Sequence, residues 1–163
     1  MAAVKPVIVS TWRRQSYHGL EDASQSWEAG DFLALDASGE MRILDNADSV
    51  LLGLAQADAS GTTGEDAVAT PLFPGDIIQL DTWDVSGAVV TDASTFIPGT
   101  KYGLVAVAGE WYADFDKSAV TGIADALIFI APQGTLKEEI AGDTVYRGLF
   151  RLVDTVLSQH VGI

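Results

Sequence analysis

Residues 30–59 read GDFLALDASGEMRILDNADSVLLGLAQADA, and this stretch decides the fold class. Phe32–Leu35 and Met41–Leu44 are short apolar runs on either side of Asp36-Ala-Ser-Gly39. Asp and Ser bond their own backbone and Gly takes positive φ, so these four residues predict a hairpin turn. Asn46-Ala-Asp48 marks the next bend, and Val50–Ala57 has the apolar density of a mostly buried strand. A shorter echo, GDIIQLD at Gly75–Asp81, leads to another turn signal at Ser86-Gly87. The match between Gly30–Asp36 and Gly75–Asp81 reads either as an internal duplication or as one turn-and-strand solution used twice.

Outward from this stretch the same grammar continues. Val7–Ser10 is a β-branched run, read as a strand or an extended arm. Gln15–Ala29 is polar without a clear period and reads as a loop, with Trp27 as its anchor into the core. Asp58–Gly64 (DASGTTG) has the composition of the most flexible loop. Ala67–Phe73, Ile77–Leu80, Ala88–Val90 and Ala126–Ile130 read as strands, with Pro71 marking an irregular or edge position. Lys101–Val107 and Glu110–Phe115 form a second hairpin across Ala108-Gly109. Asp116–Asp125 has room for one helical turn, and Gln133–Gly142 is a polar connection. Thr144–Leu157 fits two periods. As a strand it sets Tyr146, Phe150 and Leu152 opposite Arg147 and Arg151; as a helix it aligns Val145, Leu149, Leu152, Val153 and Val156. Gly148 and the β-branched residues favour a strand first, with a short turn after. About nine or ten short strands with turns every 8–12 residues predict an all-β barrel or sandwich.

Composition sets the limits. The 163 residues suffice for one domain with a real core, and 48% are hydrophobic. There is no cysteine, which removes disulfides, thiol nucleophiles and thiolate metal sites. No run of about 18 apolar residues predicts a membrane span, and the N-terminus lacks the long apolar core of a signal peptide. The net charge of −14 disfavours nucleic acid and anionic lipid as partners. That charge is uneven: Lys5, Arg13 and Arg14 precede the first acidic residue. With Trp12 and Tyr17 they form a basic, aromatic beginning, either an arm that reaches a neighbour or a first strand that pairs at home. The expected division is an N-terminal arm or loop over residues 1–28 and a barrel body over residues 29–163.

The motifs of catalysis are not found in the sequence. His18 and His160 are the two histidines, and no G-x-S-x-G, Walker A or G-x-G-x-x-G sequence accompanies them. Asp114 with Asp116, and Asp81 bracketing a turn with Asp84, read as solvated acidic turns rather than a calcium loop. A carboxylate-dependent hydrolase remains open by composition alone. Trp83, Trp111 and Tyr112 offer a sugar-stacking platform, with one ring of the Trp111-Tyr112 pair in the core and the other partly exposed. No catalytic, metal or cofactor residue is expected.

One resemblance can be stated. The arrangement A-G-D-x-x-x-L-D-x-S-G-E at Ala29–Glu40, followed by L-L-G-L-A-x-A-D-A at Leu51–Ala59, resembles small capsid cement (decoration) proteins of tailed bacteriophages. Pro98–Val105, Gly109–Asp114 and the closing Tyr146–Asp154 resemble their later hairpin and last strand. The resemblance implies a compact β-barrel or β-tulip body with an N-terminal extension and no enzyme activity. It also implies a homotrimer on the capsid exterior that bridges major capsid protein subunits. Lys5, Trp12, Arg13, Arg14 and Tyr17 are then the candidate capsid or subunit interface. The alternative is a carbohydrate- or receptor-binding β-module on a virion or cell surface.

Overall fold

A computed structural model describes residues 5–9, 15–45, 51–84, 88–89, 97–107, 109–114, 123–132 and 147–153. Every regular element among them is a strand. The first sheet holds β1 (Val7–Ile8), β7 (Ile77–Asp84), β8 (Ala88–Val89), β9 (Lys101–Val107), β10 (Glu110–Asp114), β11 (Ile123–Pro132) and β12 (Arg147–Leu152). The second holds β2 (Tyr17–Leu20), β3 (Phe32–Leu35), β4 (Met41–Ile43), β5 (Gly53–Ala55) and β6 (Asp66–Pro71).

The first sheet closes on itself. Its order runs β7-β10-β9-β11-β12, and β12 returns to pair with β7 through Arg147↔Asp81 to Arg151↔Ile77. Only the β7–β10 pair of this ring is parallel. Closure removes the exposed strand edges that invite aggregation. β1 and β8 pair with β7 outside the ring. Alternation along β12 shows why this segment is a strand: Gly148, Phe150 and Leu152 are buried while Arg147, Leu149 and Arg151 are not. The helical alternative therefore fails over Arg147–Leu152, where a period of two matches the buried face.

The second sheet runs β2-β6-β5-β3-β4, and its two ends meet. Glu21, just after β2, bridges Met41 of β4, and the Asp22 N–H donates to the Met41 carbonyl at 2.9 Å. The polar segment Gln15–Ala29 is thus not wholly a loop. Tyr17–Leu20 forms β2 against β6 because its backbone finds partners there, although its side chains give no period. Trp27 is buried as expected, and its Nε1 donates to the Ala57 carbonyl at 3.1 Å.

Two apolar clusters follow from strand alternation. Tyr102, Leu104, Trp111, Phe129 and Phe150 of the barrel join Phe32, Ala34 and Leu54 of the second sheet in one core. Phe32 and Trp111 meet edge to face at 5.5 Å. The opposite face of the second sheet supplies Leu33, Met41, Ala55, Ala67 and Ala69 to a smaller core capped by Trp27. An all-β barrel is the outcome in both composition and closure.

Turn chemistry places the strands. Asp36 Oδ1 accepts the Ser38 and Glu40 N–H groups at 2.8 Å, and Gly39 takes φ 84°, as the hairpin requires. The GD echo is a recurring strand-opening turn. In Glu28-Ala-Gly-Asp31 and Phe73-Pro-Gly-Asp76 the last N–H donates to the first carbonyl at 3.0 Å, and Gly30 and Gly75 have positive φ. In both, the Asp carboxylate also accepts the N–H of the turn's first residue, Glu28 or Phe73. Ile97-Pro-Gly-Thr100 repeats the same backbone bond before β9. The echo is thus a local turn solution, used a third time where threonine replaces aspartate.

Candidate functional site

The buried acids define the polar architecture. Glu21, Asp31, Asp76, Asp81 and Asp114 are all buried. Glu21 lies 39 to 40 residues from its partners, accepting the Ser60 N–H at 2.8 Å and the Gly61 N–H at 2.7 Å. Its backbone carbonyl accepts the Gly64 N–H at 2.8 Å. The Asp58–Gly64 loop, the most flexible by composition, is therefore fastened to the end of β2. Asp76 closes the turn before β7, as described above.

Asp81 corrects a reading of the sequence. It does not bracket a turn with Asp84 but lies inside β7, 1% exposed, facing Arg147 of β12 in register. Arg147 Nε donates to Asp81 Oδ1 at 2.7 Å. Tyr112 of β10 is the register partner on the other side. Burial, then the nearby Glu110 and Asp81 carboxylates, push the Tyr112 phenol above its ordinary value. Asp114 is buried on β10, and Asp116 lies outside the described residues.

Among the expected interface residues, the structure describes Lys5 and Tyr17, while Trp12, Arg13 and Arg14 lie outside the described residues. Lys5 and Tyr17 have different partners. Lys5 Nζ bonds Asp31 Oδ1 and lies 3.5 Å from Glu28 Oε2. Burial opposes its charge, but the hydrogen bond to Asp31 and the carboxylates of Asp31, Glu110 and Glu28 outweigh it, holding its pKa above the usual lysine value. Lys5 is therefore engaged within its own chain. Tyr17 stands on β2 opposite Ala69 and packs beside the smaller core. The described parts of residues 1–28 are paired into both sheets, β1 with β7 and β2 with β6.

Trp111 and Tyr112 are both buried, at 2% and 8% exposure, so the pair does not present an open stacking platform. The expectation of one partly exposed ring fails because both faces of β10 are covered. The Trp83 side chain and His160 lie outside the described residues. His18 is exposed on β2 opposite Val68.

Asp22, Asp36 and Glu40 bring one carboxylate oxygen each within 4.8 Å of one another. This is the described grouping nearest to a cation site, and sequence reading passed it over. Asp36 and Glu40 flank the Ser38-Gly39 turn, but Asp22 reaches them only through the Glu21–Met41 bridge. Asp36 Oδ1 is already engaged by two turn N–H groups, a role the hairpin requires with or without an ion.

No family model matches the chain, and no curated protein matches it. No helix among the described residues is long and apolar enough to cross a membrane.

Proposed function

We propose that the protein is a structural virion component that binds the outside of a phage capsid and bridges major capsid protein subunits, assembling as a homotrimer and performing no catalysis. The observation that carries the structural part of this reading is the placement of the buried acids. Glu21, Asp31, Asp76 and Asp81 each bond a backbone N–H or a cation of their own chain. Carboxylates used in this way fix loops and strands. A hydrolase, by contrast, needs two of them free and facing one cleft. The step to a phage shell rests on the ordered motifs between Ala29 and Asp154. A closed barrel suits the role, because a cement gains its strength from several rigid contacts at once.

The test is the mass of the purified protein, alone and mixed with expanded phage heads, by light scattering and co-sedimentation. A stable trimer that sediments with heads supports the proposal, and a monomer that ignores them overturns it. Deleting Met1–Tyr17 is a poor probe of the basic beginning, because it also removes β1, Lys5 and the first residue of β2. Charge reversal at Arg13 and Arg14 is the cleaner variant. Loss of co-sedimentation with the thermal midpoint unchanged would place those two residues at the shell contact.

A further inference from the structure

We propose that residues 5–9 exchange between copies, the segment Lys5-Pro-Val-Ile-Val9 of one copy occupying the β7 edge and the Asp31 carboxylate of another. The inference stands apart from the capsid reading, because it concerns how the chain completes its own fold.

Four observations carry it. The barrel ring β7-β10-β9-β11-β12 closes without β1, so the segment can leave without opening the barrel. Its attachment is small and self-contained. Val7 and Ile8 pair with Gln79 and Ile78, the Val9 N–H donates to the Ile77 carbonyl at 2.8 Å, and Lys5 bonds Asp31. Val7 and Val9 are 47% and 42% exposed, Pro6 is buried, and Ile8 packs partly against the main core. Finally, the vacated place demands a replacement. Asp31 would stay buried beside Glu28 and Glu110 without the ammonium that balances them, and one side of Ile77–Gln79 would lose its strand. A buried charge stripped of its partner is costly.

The occupant that fits this place is already defined. The contacts made within one chain show that Lys5–Val9 matches the β7 edge and the Asp31 carboxylate, and a second copy carries the identical segment. Donor and acceptor roles then differ between the two surfaces, so the contact is head to tail and can close into a ring. Five residues of sequence separate Val9 from Gln15, a connection that reaches at most about 20 Å when extended. A short link of this kind gives the internal arrangement an effective concentration of about 1 mM. Exchange therefore competes at about that protein concentration and fades on dilution.

The absence of native cysteine makes the test direct. Tagged V7C protein and untagged Q79C protein are unfolded together, refolded at about 1 mM and oxidised. The expected product is a two-chain species joined between positions 7 and 79, identified by mass after proteolysis without reductant. It should fall steeply when refolding is done at about a hundredfold lower concentration. K5A in the V7C copy should lower its yield about tenfold, since the exchanged segment then lacks its anchor. The V7C/Q79C double variant, oxidised in dilute solution, should close within one chain and shows that the bond can form. Energy transfer between a donor dye on V7C and an acceptor on Q79C gives a second readout that needs no disulfide. No two-chain product and no transfer at about 1 mM would overturn the proposal. So would a product joined through two copies of V7C, or one indifferent to K5A.

Discussion

The barrel is filled by Tyr102, Trp111, Phe129 and Phe150, whereas the far face of the second sheet is filled by Leu33, Met41, Ala55, Ala67 and Ala69. The charge divides along the same line. Residues 15–71, which contain the whole second sheet, carry eleven acids and one arginine, a net −10 of the chain's −14. Among the described residues of this stretch, Glu21, Asp22, Asp31, Asp36 and Asp58 accept backbone N–H groups. A core built on alanines removes little apolar surface from water. There the carboxylates hold the turns that packing leaves loose. The acidic composition is thus partly a construction device.

The two sheets differ most where backbone and ring packing are tightest. A Cβ on Gly53 would lie 2.1 Å from the Thr70 carbonyl oxygen, a backbone atom that cannot step aside. Gly53→Ala should cost more than about 4 kcal/mol and leave the second sheet unformed, read as lost cooperativity in a urea melt. Phe150→Ala removes a fully buried ring that meets Phe129 at 5.4 Å. It should cost about 3–5 kcal/mol while the protein still folds. If Gly53→Ala proves milder than Phe150→Ala, the second sheet is more plastic than its close backbone approach implies. Arg147→Met comes next, at about 3 kcal/mol, because it leaves Asp81 buried without its cation. Pairing it with Asp81→Leu should recover most of that loss in a double-mutant cycle.

Local turn chemistry carried what was legible in the sequence. Asp36–Gly39, Gly109 and the alternation of β12 were all readable, since each depends on residues within one hairpin or one strand. What failed depended on distant partners. β2 is hidden in a polar segment because only β6 makes it a strand. Asp81 resembles a turn aspartate, yet Arg147, 66 residues away, holds it inside β7. Glu21 gives no local sign that it will fasten Ser60 and Gly61. Trp111 and Tyr112 were expected to divide between core and surface, but β10 is covered on both faces. The recurring turn was legible at all three places, through the two GD pairs and through Pro98-Gly99; only its sameness at Ile97–Thr100, where no aspartate follows the glycine, was not.

The Glu21 fastening is weaker than these core contacts. Glu21→Gln keeps one acceptor oxygen for two N–H groups, so it should cost about 1–3 kcal/mol. Amide exchange should rise at Ser60 and Gly61 and stay unchanged in the barrel strands. Uniform loss of protection across both sheets would mean that the loop is not a separable unit.

The smallest effect tests the seam between the two sheets through pH. Lys5 titrates above its ordinary value of 10.5 in the folded protein. A raised lysine pKa means that its contribution is fully present below the unfolded value and is lost as pH rises through the folded one. Lys5→Met should therefore lower stability by about 1 kcal/mol near neutral pH, a modest figure because the side chain is partly exposed and screened. The gap between wild type and variant should close as pH climbs past the unfolded value. Tyr112, also raised above its ordinary value of 10.0, loses stability in the same direction but in both proteins alike, so it cancels in the difference. Urea melts of the pair, taken at neutral and strongly alkaline pH, read this directly. A gap that persists unchanged at the alkaline end would show that the loss does not come from the charge of Lys5 on Asp31.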